Sequence, residues 1–369
     1  MSIPEFSNAK DYQRKKQILS IFHLFLTPAV LSFMLATSIS SQFYGFASSI
    51  TGNDYLVLGI YFISLSLYML IFDLPVVFYS GFVLEHQFGL SNQNLFAWLK
   101  DFLKRSLLSF IFALTLLEGL YALIWRFPSH WWFYAWMGFA FFSYLLGKIF
   151  PVLIVPLFYK YGPLADESLK KRILDLAARF ALPADNVYTL NLSRTTKKAN
   201  AAFMGIGKTK RVVLSDTLLA KFSGDEIETV VAHELGHYCH RDIWRQFAFG
   251  LVTSFLGFWI VFRLSDTLSF RLGMSGPEEV GAMPLLFLIF CGFGVLLMPL
   301  QSGFSRYLER GADRFALRAF PNREAFISCM RKLAQVNLSD TDPHPLYEWY
   351  FYDHPSIAKR IRMASSEQV

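Results

Sequence analysis

Two histidines one helical turn apart are the residues of this chain best suited to chemistry. They lie in the segment His233-Glu234-Leu235-Gly236-His237, and a helix brings positions i and i+4 to one face. Imidazole nitrogens at this spacing can bind one tetrahedral Zn²⁺ at about 2.0–2.1 Å. Glu234 is the residue type that acts as general base toward a zinc-activated water in metalloproteases. The segment therefore predicts a hydrolytic site with one zinc ion per chain.

The residues before this segment predict the helix that carries it. Ser223 is followed three residues later by Glu226, which is a capping-box pattern, and an apolar run comes next. Gly236 costs this helix roughly 1 kcal/mol relative to alanine. We interpret this glycine as a sign that the helix backbone must leave space at this position, for the metal or the substrate.

A catalytic zinc takes three protein ligands and keeps one open position, so a third ligand must come from elsewhere. The best candidate is Glu309, in a helical pattern that directly follows the last apolar stretch. Asp313 shares its helix face and could accept the second ring N–H of a zinc-bound histidine. From spacing alone, a solvated acidic face is an equally good interpretation of this pair. His240 is the alternative third ligand, but we expect it near the site or on the surface, because three ligands on one helix need a wide approach to one ion.

His354 is a candidate for stabilising the reaction. It precedes Pro355 and Ser356, and Arg360 follows within two helical turns. Its ring could donate a hydrogen bond to the oxyanion of a tetrahedral intermediate. A loop histidine beside a proline turn is an equally good interpretation from composition alone.

The composition places these residues in a membrane protein. Of 369 residues, 54% are hydrophobic and only 17% charged, against about 25% charged in soluble domains. This excludes a disordered or fibrous chain, and three cysteines without motif spacing exclude a disulfide scaffold. On so apolar a chain, a net charge of +7 indicates basic cytoplasmic loops, so we expect no nucleic-acid partner.

Six apolar stretches are each close to the roughly 20 residues that cross a bilayer. The first is too long for a signal peptide and predicts a retained anchor. Loops that are rich in lysine and arginine alternate with loops that contain few of them. The positive-inside rule therefore places both termini and residues 158–245 in the cytoplasm. Asp73, Glu118 and Lys148 lie inside spans, where they either pair with one another, lie near a span end or line a wet cavity. The stretches are 17–40, 55–82, 104–125, 131–157, 246–264 and 282–302, and residues 41–54 are predicted to be a loop.

The polar segment 158–245 has the pattern of a small α/β unit. Helical apolar spacing runs over residues 166–181. Short β-rich runs predict strands at 187–190, 199–205 and 211–215.

Segments spread over most of the chain resemble peptidase family M48, in particular its Ste24 or type I CAAX prenyl protease group. The resemblance implies that His233, His237 and Glu309 bind zinc and that Glu234 is the base. It implies that Asp313 and Arg360 lie behind these ligands, and that His354 stabilises the transition state. Asn200, Ala201 and Ala202 would form an exposed edge strand that binds an extended substrate. The matching segments are 85–93, 156–164, 200–205, 211–219, 233–237, 309–313 and 353–356, in the family's order.

We therefore expect a mainly α, multi-span membrane protein with about six to seven spans; the resemblance implies seven, and a large intramembrane chamber. A membrane domain of about four spans would occupy residues 1–157. A zincin-like α/β metalloprotease domain on the cytoplasmic side would occupy residues 158–369, interrupted by spans at about 246–264 and 282–302. We expect a monomer in the lipid bilayer, in the bacterial inner membrane or, in a eukaryote, the endoplasmic reticulum membrane.

The expected activity is hydrolysis of peptide bonds in prenylated CAAX-type or other membrane-associated peptide or protein substrates. A quality-control protease for misfolded or stalled membrane proteins would use the same residues. A transporter or scaffold with a structural zinc is the alternative of another class, and such a site is more usually closed by four protein ligands.

Overall fold

The computed structural model describes residues 4–180, 187–205 and 211–366. In these ranges six helices are long and apolar enough to cross a membrane, which confirms a mainly helical, multi-span membrane protein. The last five extend beyond the expected stretches, whereas the first ends at Ala36 rather than at residue 40. The candidate spans are Asn8–Ala36, Asp54–Gln87, Leu95–Arg126, Trp131–Phe158, Asp242–Arg271 and Val280–Ala319.

The expected loop at 41–54 is largely a helix. Ile39, Phe43 and Ala47 recur every fourth residue and join the buried apolar cluster of the membrane part. The helix has 12 residues, about 18 Å in length, which is too short to cross about 30 Å of hydrocarbon. The helices of the membrane part are α1 (Pro4–Ala36), α2 (Ile39–Ile50), α3 (Asp54–Phe78), α4 (Leu84–Gln87), α5 (Leu95–Arg126), α6 (Trp131–Ile149), α7 (Val155–Phe158), α11 (Asp242–Arg271) and α12 (Met283–Ala319).

Within the described part of the chain, Asp73, Glu118 and Lys148 do not pair with one another. Asp73 Oδ1 lies 3.7 Å from Nε2 of His23 on α1, and a Glu118 oxygen lies close to Gly59. Lys148 is in the last turn of α6, with its ammonium over the ring of Tyr144. His23 also lines a cavity of about 580 Å³ between α1, α3, α12 and the C-terminal part of the chain.

A four-stranded sheet forms the centre of the polar part. Its order is β1-β2-β4-β3, with β2 and β4 parallel and the two outer pairs antiparallel. β3 is therefore an edge strand. The sequence pattern predicted every strand except β1, which has three residues and ends in proline. The strands are β1 (Tyr161–Pro163), β2 (Val187–Leu190), β3 (Ala201–Met204) and β4 (Arg211–Ser215).

Helices cover this sheet and share one core with it. The helix expected over 166–181 spans Glu167–Ala178, and residue 181 lies outside the described ranges. Leu214 of β4 and Val231, Leu235 and Phe326 from two helices belong to one fully buried apolar cluster. The helices are α8 (Glu167–Ala178), α9 (Asp216–Lys221), α10 (Gly224–Cys239), α13 (Arg323–Asn337), α14 (Pro345–Phe351) and α15 (Ile357–Ser366).

Candidate metal centre

Helix α10 begins with the predicted capping box and carries both histidines. Ser223 Oγ accepts from the Glu226 backbone N–H, and the Glu226 carboxylate accepts from the Ser223 N–H at 2.7 Å. The same carboxylate accepts from Ser328 and Lys332 of α13, both at 2.7 Å. One acidic residue therefore fixes the start of α10 and attaches this helix to α13.

Gly236 provides room for helix α12, and not for a metal or substrate as the sequence suggested. A Cβ atom at Gly236 would lie 2.9 Å from the Cα of Ala312 and 3.2 Å from its carbonyl oxygen. Only glycine allows the two backbones this approach. Ala312 lies between Glu309 and Asp313, so the close contact sets both carboxylates beside α10.

Three side chains converge on one point. His233 Nε2 and His237 Nε2 lie 3.2 Å apart. The Glu309 carboxylate lies 3.2 Å from the first and 3.3 Å from the second. All three ligand atoms fall within 4.8 Å of one another, and no fourth His, Cys, Asp or Glu of the described ranges joins this group. His240 lies outside it, against Gly311 and Phe315.

A carboxylate behind each histidine directs its Nε2 into the cluster. His233 Nδ1 lies 2.9 Å from Asp313, and His237 Nδ1 lies 2.9 Å from Asp242. Arg360 is buried and binds Asp313 through Nε at 2.9 Å and Nη2 at 2.5 Å. Asp242 was not among the predicted site residues, although its position five residues after the second histidine was the available signal. Such partners fix ring orientation and make the imidazole a better ligand.

These carboxylates also govern the charge of the rings. Burial disfavours a charged imidazole, yet contacts with Asp313 and Glu309 outweigh burial and raise the pKa of His233 to about 9. Burial likewise opposes the contacts of His237 with Asp242 and Glu309, which raise its pKa to about 10.

The donor set fits a divalent metal. Glu309 Oε2 is buried and lies 3.2 Å from His233 Nε2 and 3.3 Å from His354 Nε2, but neither contact has the geometry of a hydrogen bond, and no other donor of the described ranges reaches it. Buried carboxylate oxygens are normally satisfied, because burial without a partner is costly. Two imidazole nitrogens and a carboxylate oxygen are a set that binds zinc with one position left open.

A cleft of about 350 Å³ opens beside this cluster, and most of the predicted site residues line it. His354 Nε2 lies 3.3 Å from Glu309 Oε2, with its Nδ1 at 2.8 Å from Asp353. Glu234 Oε2 accepts from the Phe203 backbone N–H of edge strand β3 at 2.9 Å. Asn200, Ala201 and Arg360 also line the cleft, whereas Ala202 is not among its lining residues.

The structure has six helices that are long and apolar enough to cross a membrane. It also brings two histidines and a glutamate together beside a carboxylate that contacts an edge strand. These features are those of a membrane metalloendopeptidase. Comparison with known sequences agrees. The sequence model of peptidase family M48 matches residues 163–368, and that of the CAAX prenyl protease N-terminal region with five membrane helices matches residues 1–160. The chain belongs to peptidase family M48.

Known proteins resemble it over most of their length. The uncharacterized metalloprotease YhfN of Bacillus subtilis (strain 168) is 33% identical over all of this chain and 87% of its own. CAAX prenyl protease 1 of Saccharomyces cerevisiae is 33% identical over 78% of this chain and 68% of its own. The crystal structure of S. mikatae Ste24p superposes with a TM-score of 0.89 at 27% identity, over 100% of this chain and 90% of that one.

Proposed function

We propose that this chain is a zinc endopeptidase that cleaves membrane-associated peptides, including prenylated CAAX-type peptides. The observation that carries the proposal is the convergence of His233, His237 and Glu309 beside Glu234, which lines the cleft together with His233. A closed set of four protein ligands would have favoured a structural zinc instead. The names of several relatives, CAAX prenyl protease 1 among them, support the substrate class.

Each polar residue of the cleft has a distinct role in this proposal. His233, His237 and Glu309 would hold the zinc, which supplies a Lewis acid for the scissile carbonyl and for water. Glu234 takes a proton from the attacking water and passes it to the leaving amine. Its Oε2 is held by the Phe203 N–H, so Oε1 is left to carry the proton. His354 donates a hydrogen bond to the developing oxyanion.

The polar part belongs on the cytoplasmic side in this proposal. Basic residues concentrate in the N-terminal segment and in residues 158–245, and they are sparse in the loops of the opposite side. We accordingly assign residues 1–157 to the membrane domain and 158–369 to the protease domain with its two inserted spans. The monomeric state and the membrane compartment stay predictions.

Replacing the base tests the proposal. Glu234→Gln keeps the size of the side chain but cannot accept the proton, so turnover of a fluorogenic prenylated peptide should vanish while zinc stays bound. Glu167→Gln changes an exposed carboxylate that does not line the cleft; it is the matched control and should keep full activity. Persistent turnover in Glu234→Gln would exclude Glu234 as the base.

A second arm separates the substrate classes. Equal cleavage of prenylated and unprenylated CAAX peptides would favour the quality-control role. A zinc-loaded wild-type chain with no activity on either peptide would favour a structural zinc.

A further inference from the structure

The outer edge of β3 offers its backbone at every second residue. Asn200 faces β4, because its N–H donates to Ser215 Oγ and its carbonyl accepts from the Ser215 N–H, both at 3.0 Å. Along an antiparallel strand, successive residues direct their N–H and C=O groups alternately toward the partner strand and away from it. Ala199, Ala201 and Phe203 therefore present these groups to the cleft side. These three positions are where an extended substrate could add a strand.

The first of these positions is already occupied by a side chain. Asn337 Oδ1 accepts from the Ala199 N–H at 2.9 Å, and Asn337 Nδ2 donates to the Ala199 carbonyl at 3.1 Å. One amide thus makes both bonds that a neighbouring strand would make. The third position, Phe203, donates its N–H to Glu234. Ala201, between them, lines the cleft, and within the described ranges no side chain bonds to its backbone.

The backbone that follows Asn337 is attached to α1. Asn337 is the last residue of α13, and Leu338 after it has a left-handed backbone with φ +49°. This conformation is costly for a leucine and persists where the surroundings fix it. The Leu338 carbonyl accepts from Gln13 Nε2 of α1 at 2.6 Å. Ser339 and Asp340 continue the cleft wall on this side.

We propose that Asn337 is the end stop of the substrate groove and limits the number of residues on the C-terminal side of the scissile bond. The inference rests on the proposed peptidase function. With one open position, antiparallel pairing lets a single substrate residue exchange both bonds with Ala201, and it is the more stable mode. In this orientation the C-terminal part of the substrate runs toward Ala199.

The stop acts two residues past the substrate residue that pairs with Ala201. There the substrate would face Ala199, whose N–H and C=O are both taken by Asn337. An extended chain advances about 3.3 Å per residue. A short C-terminal fragment therefore fits before it reaches the Asn337 side-chain amide, whereas a longer fragment must turn away from the edge strand. An extension at the N-terminal side runs the other way and does not meet Asn337.

The test compares substrates that differ only in length. One prenylated peptide ends shortly after its cleavage site; a second carries an added Gly-Ser tail at its C-terminus, and a third carries the same tail at its N-terminus. For the wild-type chain we expect kcat/KM to fall about tenfold for the C-terminal tail, as for two lost hydrogen bonds, and little for the N-terminal tail. In Asn337→Ala the C-terminal penalty should largely disappear. Asn322→Ala removes the N-cap of the same helix α13 and should keep the wild-type penalty.

Two results of the turnover assay would overturn the inference. One is an unchanged C-terminal penalty in a folded, zinc-loaded Asn337→Ala chain; the other is a penalty that follows the N-terminal tail. Fluorescence anisotropy of the same labelled peptides, bound to each chain in the presence of a chelator, measures the length preference without turnover. Loss of turnover with the length preference intact in binding would refute the peptidase proposal alone, whereas binding indifferent to the C-terminal tail would refute the end stop.

Discussion

Gly236→Ala should separate α10 from α12 and weaken the metal site. The new Cβ would lie 2.9 Å from the Cα of Ala312 and 3.2 Å from the Cβ of Phe315. Carbon atoms in contact normally stay about 3.5–4.0 Å apart, so the helices must separate by roughly 0.6 Å or more. Glu309 lies one turn before Ala312 on α12 and should move with it. Metal–ligand distances tolerate only about 0.2 Å.

The expected stability change is small and the expected change in zinc affinity is large. Overpacking costs about 1–3 kcal/mol, and the better helix propensity of alanine offsets roughly 1 kcal/mol of it. The free energy of unfolding should therefore fall by about 0–2 kcal/mol. Zinc affinity should fall about 10–100-fold, the scale seen when the support of a ligand is disturbed.

The assay is competition for zinc with a chromophoric chelator, together with thermal unfolding in detergent. Gly250→Ala on α11 is the matched control, because a Cβ there meets nothing within 4 Å and gains the same helix propensity. It should keep wild-type zinc affinity. If Gly236→Ala also binds zinc as tightly as the wild type, the close approach of the two backbones does not fix Glu309, and the reasoning fails.

Three further predictions concern single side chains. Asp242→Asn removes the charged acceptor behind His237 and should lower zinc affinity about 10–100-fold in the same competition assay; an unchanged affinity would exclude this role. His354→Ala should lower kcat by about 10²–10³-fold with zinc content unchanged, and wild-type turnover would remove His354 from the mechanism. Burial alone raises the pKa of Glu226, but its bonds from Lys332 and Ser328 outweigh burial and lower it. The stability it contributes is therefore present above the ordinary pKa of 4.5 and lost as pH falls through the lowered value. Glu226→Gln should accordingly lose less Tm than the wild type between neutral and acid pH, and an equal loss in both would contradict this.

The sequence predicted best what a single helix contains. His233, Glu234 and His237 are placed by one helical turn, and Ser223 with Glu226 marks where the helix begins, so local spacing was sufficient. The same holds for the face shared by Glu309 and Asp313 on α12. That this face meets the histidines depends on the packing of two helices, which periodicity does not encode.

What the sequence could not predict depends on contacts between distant segments. Asp242 follows a left-handed Arg241 at φ +56°, and this break turns α11 back so that its first residue meets His237. Gly236 indicated that the backbone needs space at this position, but not that helix α12 occupies the space. β1 was missed because three residues give no alternation to read, and it is held by pairing with β2.

The matching segment 85–93 shows how the membrane part and the cleft depend on each other. Glu85 accepts from the Tyr12 hydroxyl of α1 at 2.6 Å and pairs with Lys198 at 2.7 Å. Lys198 leads directly into the edge strand, and α1 also supports Asn337 through Gln13 and the Leu338 carbonyl. The segment that leads into the edge strand and the residue that follows Asn337 are therefore both attached to the first span. Because α11 and α12 in turn deliver Asp242 and Glu309, the spans hold the segments beside the groove as well as the metal centre, and the packing of the spans sets the geometry of the cleft.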